Sequence, residues 1–307
     1  DQSGNVYLPC IRDLPTSVML KIRPDGATID SVILPGRIYH FNILANRKVS
    51  AAVDGGMVII DEAFSQAAFF PVEGVILKMF QTPVSDAIFA YSVSNDSATW
   101  QVPPRLLLYK NGLLQWKFTL PTPPGGTEYI SALDSDPATG DAIFYSYYHS
   151  QNTSRLHRMR LDGSALLSTP FSDSLAGWLY CLKNGNFYMY TPNKLTLFDP
   201  ELNVLGTNTL PAAGYAFSML GEQFFAAEDG GSISVFDMEG NFKAQFFSPE
   251  ITGFVQQTLP GPGNSLYTSK VEGRAFFTTS GNGGNFGWRW FRGVLKKFDL
   301  NGLLSSS

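Results

Sequence analysis

Apolar and polar residues alternate along two short segments near residue 240, on either side of a polar turn. The chain there reads Ser232-Ile-Ser-Val-Phe-Asp237-Met-Glu-Gly240-Asn-Phe-Lys-Ala-Gln-Phe-Phe-Ser-Pro249. Successive side chains of a strand point to opposite faces, so a period of two is typical of strands. Asp237 and Gly240 are residue types that tight turns favour. The pattern therefore predicts a β-hairpin that turns at Asp237.

The same pattern occurs seven times along the chain. Its turn residues are Asp25, Asp61, Asn111, Asp162, Asp199, Asp237 and Asp299. These turns are 36, 50, 51, 37, 38 and 62 residues apart. Six of the hairpins are followed, 8 to 12 residues after the turn, by a proline: Pro35, Pro71, Pro121, Pro170, Pro211 and Pro249. Because proline has no N–H to donate to a ladder, each of these prolines predicts the end of a strand.

Two more strands are predicted upstream of each hairpin. Before the hairpin at Asp237 they cover residues 216–220 and 223–228, and the segments that begin at Asp86 and Asp141 are near copies of each other. Four short strands in about 46 residues form a unit of the size of a β-propeller blade. No window keeps a period of 3.6 residues for three turns, which argues against helical repeats. We predict an all-β fold, a single β-propeller domain over residues 1–307 with seven blades of four-stranded antiparallel sheet.

The repeat resembles a known class of propeller blade. The stretch from Gly221 to Phe242 contains a glycine, a strand, the acidic loop Glu228-Asp-Gly-Gly, a strand that ends in Phe236-Asp237, and a glycine turn. In this it is similar to the blades of the NHL-type and YVTN-type families. The repeat spacing varies, and the Trp-Asp dipeptide of WD40 repeats is absent. The resemblance implies the architecture, which enzymes, receptors and scaffolds share.

The two ends of the chain predict incomplete sheets. Residues 5–10 match a second blade strand, so the first sheet is expected to lack its first strand. Residues 303–307 are expected to begin the outermost strand of the last sheet. Three interpretations stay open: one blade has three strands, residues outside this chain complete it, or a partner donates a strand to the open edge.

Composition narrows the function classes. Charged residues make up 16% and aromatic residues 14% of the chain, which argues against a disordered chain and against a helical bundle. The net charge of -4 argues against general nucleic-acid binding, which requires an excess of basic residues. The longest uncharged stretch, residues 204–221, is interrupted by Pro211, so we expect no membrane-spanning helix. Cys10 and Cys181 belong to no CxxC pair, which argues against a structural zinc site. The sequence leaves open whether the two cysteines form a disulfide bond.

Candidate catalytic and metal residues are few. Asp134, Asp136 and Asp141 have oxygen ligands at a spacing that suits calcium, although Asp136-Pro-Ala-Thr-Gly140 is also ordinary turn chemistry. Sugar lactonases of the propeller class hold a metal with carboxylates, for which the candidates are Asp54, Glu228 and Asp229. His157, beside several arginines, indicates an anion-binding patch or a solvated face. No Ser-His-Asp order supports acyl transfer.

Aromatic residues supply the candidate binding surface. A Gly-rich segment, expected to be a loop, ends in Trp288, Arg289, Trp290, Phe291 and Arg292. Tyr147 and Tyr148, in a second expected loop, extend this surface. Trp and Arg are enriched at binding hot spots and suit a protein or a sugar. The alternative is that the tryptophans pack between blades.

These observations favour a non-catalytic propeller that serves as a protein-interaction or structural module of a larger extracellular or virion assembly. The alternatives are a carbohydrate-binding propeller, whose ligand would be a glycan, and a metal-dependent, lactonase-like hydrolase. We expect no cofactor other than calcium at the three aspartates. The expected partners are proteins or assembly subunits, without nucleic acid.

Overall fold

The computed structural model describes residues 5–11, 16–23, 25–44, 46–65, 67–93, 104–121, 128–148, 153–171, 178–191, 194–209, 216–220, 223–227, 232–238, 241–247, 254–261, 265–280 and 283–299. In these ranges the chain forms strands and turns and no helix, so the prediction of an all-β fold is confirmed. The described residues accordingly include no helix that could cross a membrane.

The strands form antiparallel sheets in which neighbours along the chain are also neighbours in space. Five sheets have four strands and two have three. Sheet A contains β1 (Val6–Ile11), β2 (Thr16–Ile22) and β3 (Thr28–Pro35). Sheet B contains β4 (Ile38–Ile43), β5 (Val49–Val53), β6 (Gly56–Ile60) and β7 (Ala67–Pro71). Sheet C contains β8 (Val75–Gln81), β9 (Ala87–Val93), β10 (Arg105–Lys110) and β11 (Leu113–Thr119).

The remaining sheets continue the pattern. Sheet D contains β12 (Glu128–Ser135), β13 (Ala142–Tyr148), β14 (Thr153–Met159) and β15 (Leu166–Phe171). Sheet E contains β16 (Trp178–Cys181), β17 (Phe187–Thr191), β18 (Lys194–Phe198) and β19 (Val204–Thr209). Sheet F contains β20 (Ala216–Leu220), β21 (Gln223–Ala227), β22 (Ser232–Asp237) and β23 (Phe242–Phe247). Sheet G contains β24 (Phe254–Gly261), β25 (Ser265–Ser280) and β26 (Gly283–Asp299).

The predicted strands before the seven turns are all present. They are β2, β6, β10, β14, β18, β22 and β26, and each ends at its turn residue or within three residues before it. Prolines mark strand ends as expected: β3 and β7 end at Pro35 and Pro71, and β15 ends one residue after Pro170. Among the described residues sheet A has three strands, as expected for the first sheet. Residues 303–307 lie outside the described residues.

The chain divides into two compact units, residues 1–191 with 196–206, and residues 192–195 with 207–307. In the first unit, consecutive sheets pack face to face, so the central strands are buried on both sides. Ile88 of β9 contributes to the core between sheets B and C, whereas the adjacent Phe89 contributes to the core between sheets C and D. The same division holds in β13, where Phe144 faces sheet C and Tyr145 faces sheet E.

The first strands of neighbouring sheets lie beside one another in this unit, β4 next to β8 and β12 next to both β8 and β16. Three of them carry a β-bulge at the corresponding position, with the extra residue at Tyr39, Leu77 and Ser131. A bulge re-aims the side chains that follow it. The bulges therefore set the direction of His40 and Lys78, which come directly after two of them.

The turn of sheet C depends on a glycine. Asn111 and Gly112 have φ values of 52° and 75°, as a two-residue hairpin loop requires. A Cβ on Gly112 would lie 2.0 Å from Cε1 of Phe70, whose ring packs against the core between sheets B and C. We expect Gly112→Ala to lower the free energy of unfolding by about 2 kcal/mol, because backbone strain and displacement of this ring add. Urea denaturation measures this change.

Substitutions of two other glycines distinguish the effect of backbone strain from the effect of displacing the Phe70 ring. Gly26 has a φ of 86° and open space around its Cβ position, so Gly26→Ala reports backbone strain alone. Gly206 also has open space and lies in an exposed strand, so Gly206→Ala provides the baseline. A Gly112→Ala loss equal to that of Gly26→Ala would show that the Phe70 contact contributes nothing.

Candidate functional site

Two of the three aspartates predicted as calcium ligands bind an arginine. Asp136 and Asp141 lie on either side of Arg158: Nη2 of Arg158 is 2.7 Å from Oδ2 of Asp136, and Nε is 3.0 Å from Oδ2 of Asp141. Nη1 of Arg158 also donates to the carbonyl of Pro200, at 3.1 Å. The guanidinium, 13% exposed, occupies the position between the carboxylates that a cation would need. The other oxygen of Asp136 accepts from the N–H of Ala138, an Asx turn that confirms the turn interpretation of this segment.

Asp134, the third predicted ligand, faces a different neighbour. Its two carboxylate oxygens accept from the backbone N–H groups of Ser135 and Cys181, each at 2.8 Å. Burial raises the pKa of Asp134 to about 6. Burial, reinforced by the negative charge of Asp134, raises the pKa of the Cys181 thiol. No disulfide bond links Cys10 and Cys181, so of the two alternatives left open the structure has the one without a bond.

Of the three lactonase candidates, Asp54 lies in the described ranges. Asp54 accepts from the hydroxyl of Tyr39 at 2.6 Å and from the N–H of Arg37 at 2.7 Å. The Tyr39 hydrogen bond is the main reason why the pKa of Asp54 is lowered. Glu228 and Asp229 lie outside the described residues. Among the residues that are described, no three His, Cys, Asp or Glu side chains are grouped to hold a metal.

His157 is buried, so the interpretation of a solvated face was wrong. It is 4% exposed, stacks on Phe144 with ring centroids 4.6 Å apart, and shares a hydrogen bond of 2.7 Å between Nε2 and Oγ of Ser146. Ser146 also donates to Glu128. Alternation along β14 could not predict this burial, because sheet C covers the face that carries His157.

This cluster of Glu128, Ser146 and His157 does not have the geometry of a catalytic triad. In such a triad the carboxylate binds the imidazole nitrogen that is remote from the serine. Here Glu128 lies on the same side as the serine, 3.7 Å from Nε2 of His157, and Nδ1 has no partner. Ser146 is fully buried, so no substrate reaches its hydroxyl. The cluster is a hydrogen-bonded part of the core between sheets C and D.

The predicted aromatic loops are strands. Tyr147 and Tyr148 end β13; Tyr148 is 3% exposed and Tyr147 packs on the core between sheets D and E. Residues 288–292 lie in β26, where Trp288 pairs with Ala275 and Trp290 with Gly273 of β25. The expectation of two loops is therefore corrected, since both segments continue ladders. The side chains of Trp288, Arg289, Trp290, Phe291 and Arg292 are outside the description, and their proposed binding role stays a prediction.

An apolar surface that the sequence analysis did not identify lies on the fourth strands. β11, β15 and β19 each begin with two exposed apolar residues, and β3 and β7 carry others. We call this set the outer-strand surface. It comprises Ile29, Ile33, Phe69, Leu113, Leu114, Leu166, Leu167, Val204 and Leu205. Leu113 is 69% and Val204 is 56% exposed. Because consecutive side chains point to opposite faces, exposure of both members of a pair means that neither face of the strand start is covered.

Grooves between consecutive sheets border this surface. One of about 430 Å³ between sheets B and C is lined by Ala67 and Phe70. A second, of about 510 Å³, lies beside Trp116 between sheets C and D. A third, of about 680 Å³, is lined by Leu166 and Leu167 between sheets D and E. Apolar strand starts therefore alternate with concave gaps along one side of the first unit.

The comparisons with known proteins add little to this geometry. No protein-family model and no curated protein matches the chain. The chain is similar to a crystal structure of a protein of unknown function from Bacteroides caccae, with 14% sequence identity and a TM-score of 0.49 over 70% of this chain and 78% of that one. The comparisons thus assign the chain to no family.

Proposed function

We propose that the chain is a seven-bladed β-propeller with NHL- or YVTN-type blades, and that it is a non-catalytic protein-interaction module which docks through the outer-strand surface. The observation that carries this proposal is the run of exposed apolar pairs at the starts of β11, β15 and β19. The repeated hairpins and the face-to-face packing of consecutive sheets support the architecture.

Exposed edges of this composition are unusual in a protein that acts alone. Natural sheets protect their edges with charged side chains, above all lysine. Across β3, β7, β11, β15 and β19 the charged residues are Asp30 and Lys117. Covering one leucine stabilises a complex by about 1.5–3 kcal/mol. Several pairs together therefore favour a bound partner.

The partner that fits this surface has an extended segment with apolar side chains. The outer strands lie at the ends of their sheets, where such a segment adds by strand pairing. Its apolar side chains would then cover the exposed leucines, while its polar groups would face the charged residues that line the grooves beside Trp116 and Leu166, among them Arg160. An assembly subunit with an extended arm has this chemistry, in line with the structural role expected from the sequence.

The double substitution Leu113→Lys with Leu114→Lys tests this role. A protein captured by the full chain from its native source is purified, and its dissociation constant is measured by calorimetry. Because two apolar contacts are replaced by charges, we expect at least about a hundredfold weaker binding. Urea denaturation should show little change, since both side chains are exposed.

A matched control replaces exposed polar residues. Lys183→Gln with Asn184→Lys changes an exposed turn of sheet E that carries no apolar pair and lines none of the three grooves described above. Equal binding by the wild type and the leucine variant would overturn the proposal. The proposal would also be overturned if the chain formed no protein complex and instead bound a glycan or hydrolysed a lactone in a metal-dependent reaction.

A further inference from the structure

The bulged first strands bring a lysine, a histidine and a serine together. After the bulges of β4 and β8, the next residues are His40 and Lys78, at corresponding positions of adjacent strands. Ser131 is itself the bulge residue of β12, on the other side of β8. The Lys78 ammonium reaches across and donates to the carbonyl of Ser131. Three consecutive sheets thus supply one side chain each to the same region.

Lys78 lacks a counter-charge. Among the described residues no carboxylate pairs with its ammonium, and the Ser131 carbonyl accepts one of its three protons. Burial lowers the pKa of Lys78. Its charge in turn reinforces the effect of burial on His40, whose pKa is lowered to about 4. The imidazole of His40 is therefore neutral at neutral pH.

The two residues beside Lys78 each carry a buried polar atom that has no hydrogen-bond partner. They are Nδ1 of His40 and Oγ of Ser131. A buried polar group that makes no hydrogen bond costs about 1–3 kcal/mol, so such groups are rare without a reason. A ligand with acceptor oxygens satisfies both, because the serine hydroxyl and a protonated Nδ1 each donate.

We propose that Lys78, His40 and Ser131 form a binding site for a carboxylate. The single ammonium balances a single negative charge. The two carboxylate oxygens accept from the remaining ammonium protons, from the Ser131 hydroxyl and from Nδ1–H of His40. A dianion such as phosphate would leave one negative charge uncompensated beside these half-buried side chains, which is costly. This site is separate from the outer-strand surface and does not depend on the proposed docking role.

Acetate is the probe for this site. Ligand-observed NMR titrations with sodium acetate at pH 7.5, against sodium chloride at equal ionic strength, give the dissociation constant of the full chain. We expect saturable acetate binding that Lys78→Met weakens at least about tenfold, since a hydrogen bond to a charged group is lost. Ser131→Ala should weaken it about threefold to tenfold, because one neutral donor is removed.

Lys48→Met serves as the control, because Lys48 is exposed and its removal changes the net charge equally. Ser131→Ala keeps the test valid if Lys78→Met fails to fold. The proposal is overturned if chloride produces the same response as acetate, if Ser131→Ala and Lys78→Met bind acetate like the wild type, or if phosphate binds and acetate does not.

Discussion

Replacement of Arg158 by methionine is expected to lower the free energy of unfolding by about 3–5 kcal/mol, the cost of leaving a buried carboxylate without its partner. Asp136 is 1% exposed and Asp141 is 14% exposed, so solvent does not replace the lost guanidinium. The carbonyl of Pro200 also loses its donor, which weakens the contact between sheets D and E. Urea denaturation at pH 7 measures the effect.

Arg160→Met is the matched control for this substitution. Arg160 follows the same strand but is exposed, so its replacement should change stability by no more than about 0.5 kcal/mol. If both variants lost the same small amount, the ion pairs of Arg158 would not stabilise the fold. If calcium restored the Arg158→Met variant, the two aspartates would be able to hold a cation after all.

The sequence predicted the repeated strands because their signals are local. A turn residue and two alternating flanks occupy fewer than twenty residues, and the hairpins at Asn111 and Asp199 formed where that pattern placed them. The hydrogen-bond and ion-pair partners of the three aspartates, in contrast, include residues that are distant in the sequence. Arg158 lies 22 positions after Asp136, and Cys181 lies 47 positions after Asp134. Spacing within the aspartate segment contains no information about either neighbour.

Burial was harder to predict than strand position. In stacked sheets both faces of a central strand are covered, so alternation does not separate a buried residue such as His157 from an exposed one. On the fourth strands, by contrast, apolar residues that the pattern would place in the core are exposed. Leu113 and Leu114 are as apolar as the residues of a core strand. They are exposed because β11 lies at the end of its sheet. An apolar pair at the start of the strand that follows the turns at Asn111, Asp162 and Asp199 is the signal that would have identified the outer-strand surface.

The stability contributed by Asp134 is expected to fall as the pH rises. Its pKa is about 6 in the folded chain, above its ordinary value of 3.8. Between these values the native state binds more protons than the unfolded state, so the free energy of unfolding decreases with increasing pH. A pKa difference of this size corresponds to about 3 kcal/mol between pH 4 and pH 7. Denaturation of wild type and Asp134→Asn across this range should show the difference between them shift in favour of the variant.

Asp162→Asn provides a control of opposite sign. Hydrogen bonds to Ser164 lower the pKa of Asp162, which is exposed. The stability that Asp162 contributes is present above its ordinary pKa and is lost on acidification.

The Asp134→Asn variant is also expected to show a constant offset in stability at every pH. Asparagine at position 134 keeps one acceptor oxygen for the N–H groups of Ser135 and Cys181, so one of the two hydrogen bonds is lost. Parallel profiles of wild type and Asp134→Asn would show that the carboxyl group is ionised in both states, and that its burial carries no electrostatic penalty.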